Sequence, residues 1–188
     1  MNKQQSYTGR ELISAVYATQ IILIIISIFL GFILFNSFSD FTQLFQINTE
    51  ILIISFITGA AIVLIDLLLM KVFPEQSFDD GGVNRTLFSS LRPAHILLLT
   101  GLIAFSEELL FRGILQTHIG LMGASMIFIA IHFRYLKNLF LLVNVTCLSF
   151  ILGFVYESTE SLWSVIIIHF IIDYILGIYI HYTYKEGD

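Results

Sequence analysis

The sequence predicts an all-α, polytopic transmembrane helix bundle of about six spans, with the N- and C-termini both inside. Three observations lead there. Of 188 residues, 57% are hydrophobic and only 12% are charged, where a soluble domain carries about 25% charged residues. The apolar residues gather in long runs. The basic residues fall almost entirely between alternate runs. A soluble protein with mean hydropathy +0.89 could not cover so much apolar surface with so few charges. Intrinsic disorder needs low hydrophobicity and is excluded. A net charge of −5 argues against a nucleic-acid partner. The length fits a single membrane domain, 1–188, without a second, soluble one.

Crossing the hydrocarbon core takes about 20 apolar residues in a helix. The first run, residues 16–35, contains IILIIISIFLGFILF and no charge. It lacks a small-residue cleavage site and reads as a retained helix, not a signal peptide. The second, 51–72, is interrupted by Asp66, and the third, 95–116, carries SEELLFR. The fourth, 121–133, is short and ends in His-Phe-Arg; the fifth and sixth are 139–156 and 162–182. Local propensity would allow the Val- and Ile-rich runs to be strands, but their length favours helices. The region 16–72 holds two spans without motifs, and 95–182 holds the motif-bearing helices. Cys147 sits alone in an apolar run, as filler.

Orientation follows from Lys and Arg. Eight of the nine basic residues, Lys3, Arg10, Lys71, Arg85, Arg92, Arg134, Lys137 and Lys185, fall on one side of a six-span arrangement, and the ninth, Arg112, lies within the third run. The connection 73–93 is the one sizeable soluble segment. Its Phe78, Val83, Leu87, Phe88 and Leu91 suggest an amphipathic stretch on the inner membrane surface, or a linker with one interfacial turn.

An ionisable side chain at the centre of a membrane helix costs at least about 2.5–3.5 kcal/mol on insertion scales, so such residues are candidates for function. Glu107, Glu108 and Arg112 lie in the third run, His132 ends the fourth, and His169 and Asp173 lie in the sixth. Glu108 and Arg112 are four apart, share a helix face and can pair. That pairing would leave Glu107, about 100° around the helix, free for other work. Phe128 and His132 have the same spacing, as do His169 and Asp173. Asp173 could orient His169, or both could face one cavity. Polar groups from three helices must converge on one another or on water. Asp66, alone in its span, suggests a structural partner or a pore-facing position. His95 and His181 read as interfacial, His118 as solvated in an outer turn, and Trp163 as part of the aromatic belt.

These residues resemble the CPBP family of CAAX proteases and bacteriocin-processing enzymes, also called Abi. The family pattern is E-E-x-x-x-R, then F-x-x-x-H, then H-x-x-x-N or a close variant. Glu107-Glu108-Leu-Leu-Phe-Arg112, Phe128-Ile-Ala-Ile-His132 and His169-Phe-Ile-Ile-Asp173 match these in order. The resemblance covers about residues 105–173 and implies an intramembrane endopeptidase of the glutamate type. It implies that Glu107 and His132 activate the attacking water. His169 and the residue at 173 would stabilise the oxyanion, while Glu108, Arg112 and Phe128 support the site. Position 173 departs from the pattern: Asp donates a hydrogen bond only when protonated, so it must carry a proton or serve to hold His169. A cavity open to the cytoplasm would supply the water. Depth raises a geometric demand. Counted from His95 at about 1.5 Å per residue, Glu107 falls roughly 18 Å along its helix, whereas His132 lies near the inner end of its own. Their meeting requires a tilt, a break or a later start to the third span.

The resemblance implies a peptide or membrane-protein substrate, no metal and no cofactor, with the lipid bilayer as surroundings. The localisation it suggests is a bacterial cytoplasmic membrane. The rival readings are a zinc-dependent membrane protease, a non-enzymatic scaffold or bacteriocin-immunity protein, and a proton-coupled transporter. Zinc lacks an H-E-x-x-H motif here, and a transporter would show matched halves. No GxxxG motif suggests a dimer face, and the oligomeric state is not legible.

Overall fold

A computed structural model describes residues 8–184. Helix α1 (Gly9–Leu34) starts at a capping box, in which Thr8 accepts from the Glu11 amide and the Glu11 carboxylate accepts from Thr8. These bonds satisfy amides that the first turn leaves without partners. A short α2 (Phe38–Gln43) leads to α3 (Thr49–Val72), capped by the Asn48 side chain at 2.8 Å. After a 3-10 turn (Glu75–Phe78) come α4 (Val83–Ser89) and α5 (Pro93–Glu108), with proline in its first turn. A π-helical segment (Leu109–Gln116) continues directly into α6 (Thr117–Ile131). A second 3-10 turn (Phe133–Lys137), α7 (Leu139–Thr159) and α8 (Leu162–Tyr184) complete the described chain. The described residues contain no strand, as the all-α expectation requires.

Among the described residues, five stretches are long and apolar enough to cross a membrane: Gly9–Leu34, Thr49–Val72, Pro93–Ile131, Leu139–Thr159 and Leu162–Tyr184. The third contains two of the apolar runs, because the chain doubles back within it. Gly120 has φ 75° and ψ 171°, a conformation essentially reserved for glycine. The rings of Phe111 and Phe128 consequently lie only 4.9 Å apart. A straight helix would separate seventeen residues by roughly 25 Å. Space around Gly120 is open, with nothing within 4 Å of an added Cβ. Gly120→Ala is therefore expected to act through the backbone alone, at about 1–3 kcal/mol, read as a shift in denaturant-titrated unfolding in mild detergent.

The chain passes between two ends of the bundle. At one end, the Leu44 carbonyl accepts from Leu162, the Gln46 carbonyl accepts from Ser161, and His118 bridges carbonyls of Ile114 and Leu34. At the other, Arg134 pairs with Asp80, His181 reaches the Phe88 carbonyl, and Tyr184 donates to Glu75. Arg10, Lys71, Arg85, Arg92, Arg134 and Lys137 all belong to this second, basic end. Lys3 and Lys185 lie outside the described residues.

The α4 segment differs from the expected surface helix. Leu87, Phe88 and Leu91 are buried against Leu12, Ile13 and Val16 of α1 and Tyr174 and Ile178 of α8. An amphipathic pattern needs only an apolar surface to meet, and here the bundle supplies it. His181, expected at an interface, is buried beneath this segment.

Candidate active site

The site is built around Glu108. This residue ends α5 with its side chain fully buried. One carboxylate oxygen accepts from His169 Nδ1 at 2.7 Å. The other stands 3.3 Å from Arg112 Nε. Arg112, 1% exposed, donates to the Ser149 carbonyl at 3.1 Å and lies over the Phe128 ring at 4.8 Å. The Phe128 ring is in turn 4.5 Å from that of His132. Four helices thus meet through a buried ion pair, a charge-assisted hydrogen bond and two ring contacts.

The expected pairing of Glu108 with Arg112 is present. The expected link between His169 and Asp173 is looser, with Nε2 and Oδ2 3.5 Å apart. Glu108 is the nearer partner and fixes the imidazole with its Nδ1 proton inward, leaving Nε2 turned toward Asp173. Spacing along one helix revealed the Asp173 contact; the stronger one crosses between helices and has no spacing to betray it.

Glu107 is half-buried and makes no hydrogen bond or ion pair among the described residues. It is within electrostatic reach of His169, Asp173, Glu108 and Arg112. His132 is also half-buried; its Nδ1 is 2.7 Å from the Phe128 carbonyl, so Nε2 is the free nitrogen. His169 and Asp173 lie within electrostatic reach of it too.

The demand on depth is met by where the chain reverses. Glu107 lies thirteen residues before Gly120 and His132 twelve after it. Two arms of nearly equal length bring both to one level. Of the tilt, break or later start that the count from His95 allows, the chain uses a break, at Gly120, and α6 is the shorter arm. The π segment begins at the residue after Glu108, and Thr117 donates its hydroxyl to the Arg112 carbonyl five residues back. Such π turns are frequent at functional sites.

Sequence reasoning missed Gln20. It is 4% exposed within an otherwise apolar stretch of α1, and its Oε1 is 2.6 Å from the Ser106 hydroxyl. A lone amide in an apolar run was the available signal. Asp66 is half-buried on α3 with no hydrogen bond or ion pair among the described residues. One cavity of about 740 Å³ opens at the basic end beside Asp80, Arg134 and Asn138. Another, about 530 Å³, opens at the far end beside Gln116 and Tyr156. The motif residues line neither; Glu107, His132 and Asp173 reach the surface through their own partial exposure.

The family described as Type II CAAX prenyl endopeptidase Rce1-like matches residues 89–175, a span that includes every residue from Glu107 to Asp173. A Bacillus subtilis (strain 168) protein, named only uncharacterized protein YpbD, is 43% identical over 171 residues, covering 90% of each chain. The chain belongs to the Rce1-like family. It is therefore a multi-pass membrane protein and an intramembrane protease of the CAAX prenyl endopeptidase type. In this Rce1-like chain the family's match covers α5 to most of α8 and leaves out α1 and α3. No solved structure matches the chain.

Proposed function

We propose that this Rce1-like protease hydrolyses a peptide bond of a membrane-associated substrate with a water activated by Glu107 and His132. One observation carries the reading: of two adjacent glutamates, Glu108 has one oxygen hydrogen-bonded to His169 and the other ion-paired with Arg112, while Glu107 has no such partner among the described residues. A carboxylate with unengaged lone pairs can take a proton from water, and an imidazole with a free Nε2 can orient that water. The water oxygen attacks the carbonyl carbon, and its proton passes to Glu107. The resulting oxyanion accepts from the Nε2–H of His169, doubly protonated with its Nδ1–H on Glu108, and from Asp173 in its protonated form. Collapse breaks the C–N bond, and the proton held on Glu107 goes to the leaving amine. Glu108 and Arg112 hold His169 and Phe128 in place throughout.

Helices within 95–182 carry this chemistry, and 16–72 supply support, including Gln20 against Ser106. The basic end faces the cytoplasm, with six crossings in a bacterial cytoplasmic membrane, so substrate and water enter from that side. No step of this reaction is routed through a metal, and chelation tests that.

The test uses purified protein and a substrate peptide identified in cells. Cleavage is expected to persist in 1,10-phenanthroline and to disappear in the Glu107→Ala, His132→Ala double variant. Full activity in that variant, or loss on chelation restored by zinc, overturns the reading.

A further inference from the structure

We propose that Asp80, in the motif-free connection between α3 and α5, is a positioning residue for His132. The inference rests on the catalytic reading of His132 given above.

His132 occupies an exposed-prone place. It closes α6 with φ −83° and ψ 33°, outside the regular helix, and begins the 3-10 turn Phe133–Lys137. Helix ends of this kind fray unless tied down. Among the described residues the ring has one polar anchor, the Phe128 carbonyl, and it also lies 4.5 Å from the Phe128 ring. Its remaining restraint arrives through the turn. The Asp80 side chain is 4% exposed and takes Arg134 Nη2 at 2.9 Å. The Arg134 guanidinium lies over the Tyr135 ring at 5.4 Å. The Tyr135 ring lies 5.6 Å from that of His132, and the Tyr135 amide donates to the His132 carbonyl.

The same connection holds the far end of the turn. Asn138 donates to the Ser77 and Asp79 carbonyls at 3.0 and 3.1 Å, while its oxygen caps α7. Asp80 is itself immobilised. Its carboxylate accepts from the Asn84 amide at the start of α4. Asp79 ties the Gly81 and Gly82 amides, and both glycines have positive φ, which their lack of Cβ permits. α4 is anchored by buried Leu87 and Phe88. A continuous line of packed groups thus runs from the core through Asp80, Arg134 and Tyr135 to His132. An exposed ion pair would count for little. Here the carboxylate is buried, and its loss frees the Arg134 guanidinium, 42% exposed, from the turn that carries Tyr135.

The experiment follows all five histidines in the full-length protein in lipid nanodiscs. Diethylpyrocarbonate modifies free imidazole nitrogens, and mass spectrometry reads each site's rate. Asp80→Asn is expected to change the rate at His132 by about tenfold, the size of a typical coupling through touching groups. His95, His118, His169 and His181 are expected to keep their rates, and Asp80→Glu to restore that of His132. A purely structural ion pair would move several sites together or none. If Asp80→Asn does not accumulate, Arg134→Lys keeps the charge but loses the planar stack on Tyr135, and the same selective change is expected. An unchanged His132 rate, or a parallel rise at all five sites, overturns the proposal. Cleavage by His132→Ala, measured separately, would overturn the catalytic reading instead.

Discussion

Glu107→Gln is expected to lose peptide-bond cleavage by about 10²- to 10⁴-fold, the usual contribution of a positioned general base. The same substitution is expected to leave the bundle's resistance to denaturation nearly unchanged. The reason is local. Glu107 is half-buried and has no hydrogen-bond or ion-pair partner among the described residues, so replacing its carboxylate with an isosteric amide orphans nothing. Turnover of a defined peptide and an unfolding titration on the same preparation check both halves. Equal losses in turnover and stability would make Glu107 a structural residue.

Its neighbour is expected to behave in the opposite way. Glu108→Ala removes the carboxylate that holds both His169 at 2.7 Å and Arg112 at 3.3 Å. Arg112 would be left buried at 1% exposure with its charge uncompensated. Breaking a buried ion pair by deleting one partner costs about 3–5 kcal/mol, because a bare charge remains in a low-dielectric interior. The Ser149 carbonyl and the Phe128 face are still available to Arg112, but neither carries a negative charge. The expected result is an unfolding midpoint far below wild type, or failure to accumulate. Replacing both charges, Glu108→Met with Arg112→Met, is expected to recover much of that loss, since exchanging a buried pair for apolar groups is often close to neutral. A Glu108→Ala protein as stable as wild type would show that the carboxylate does not carry this cluster. The pair of results separates two adjacent identical side chains, one for chemistry and one for architecture.

The contrast marks what the sequence could and could not disclose. Helical spacing alone placed Glu108 against Arg112 and turned Glu107 away, because residues four apart share a face and adjacent residues do not. Charge in an apolar helix singled out His132, His169 and Asp173, because membranes make such residues expensive. Contacts between helices were hidden. Glu108 holding His169, Gln20 holding Ser106 and Arg112 reaching Ser149 are all separated by more than thirty residues, and no local period encodes them. How His132 comes level with Glu107 was hidden for a related reason. Gly120 was visible as a glycine, but its reversal fixes depth only when both arms are counted from it. The α4 segment shows a further limit: an apolar face looks the same whether it will meet lipid or protein.

The central claim is that this Rce1-like chain cleaves peptide bonds with Glu107. The most direct measurement compares the peptide termini of membrane and secreted proteins from cells expressing wild type or Glu107→Ala at matched levels. The account predicts at least one new terminus, formed with wild type and absent with the variant. Identical termini from the two, with both proteins inserted and a cleaved substrate present in each, would contradict it.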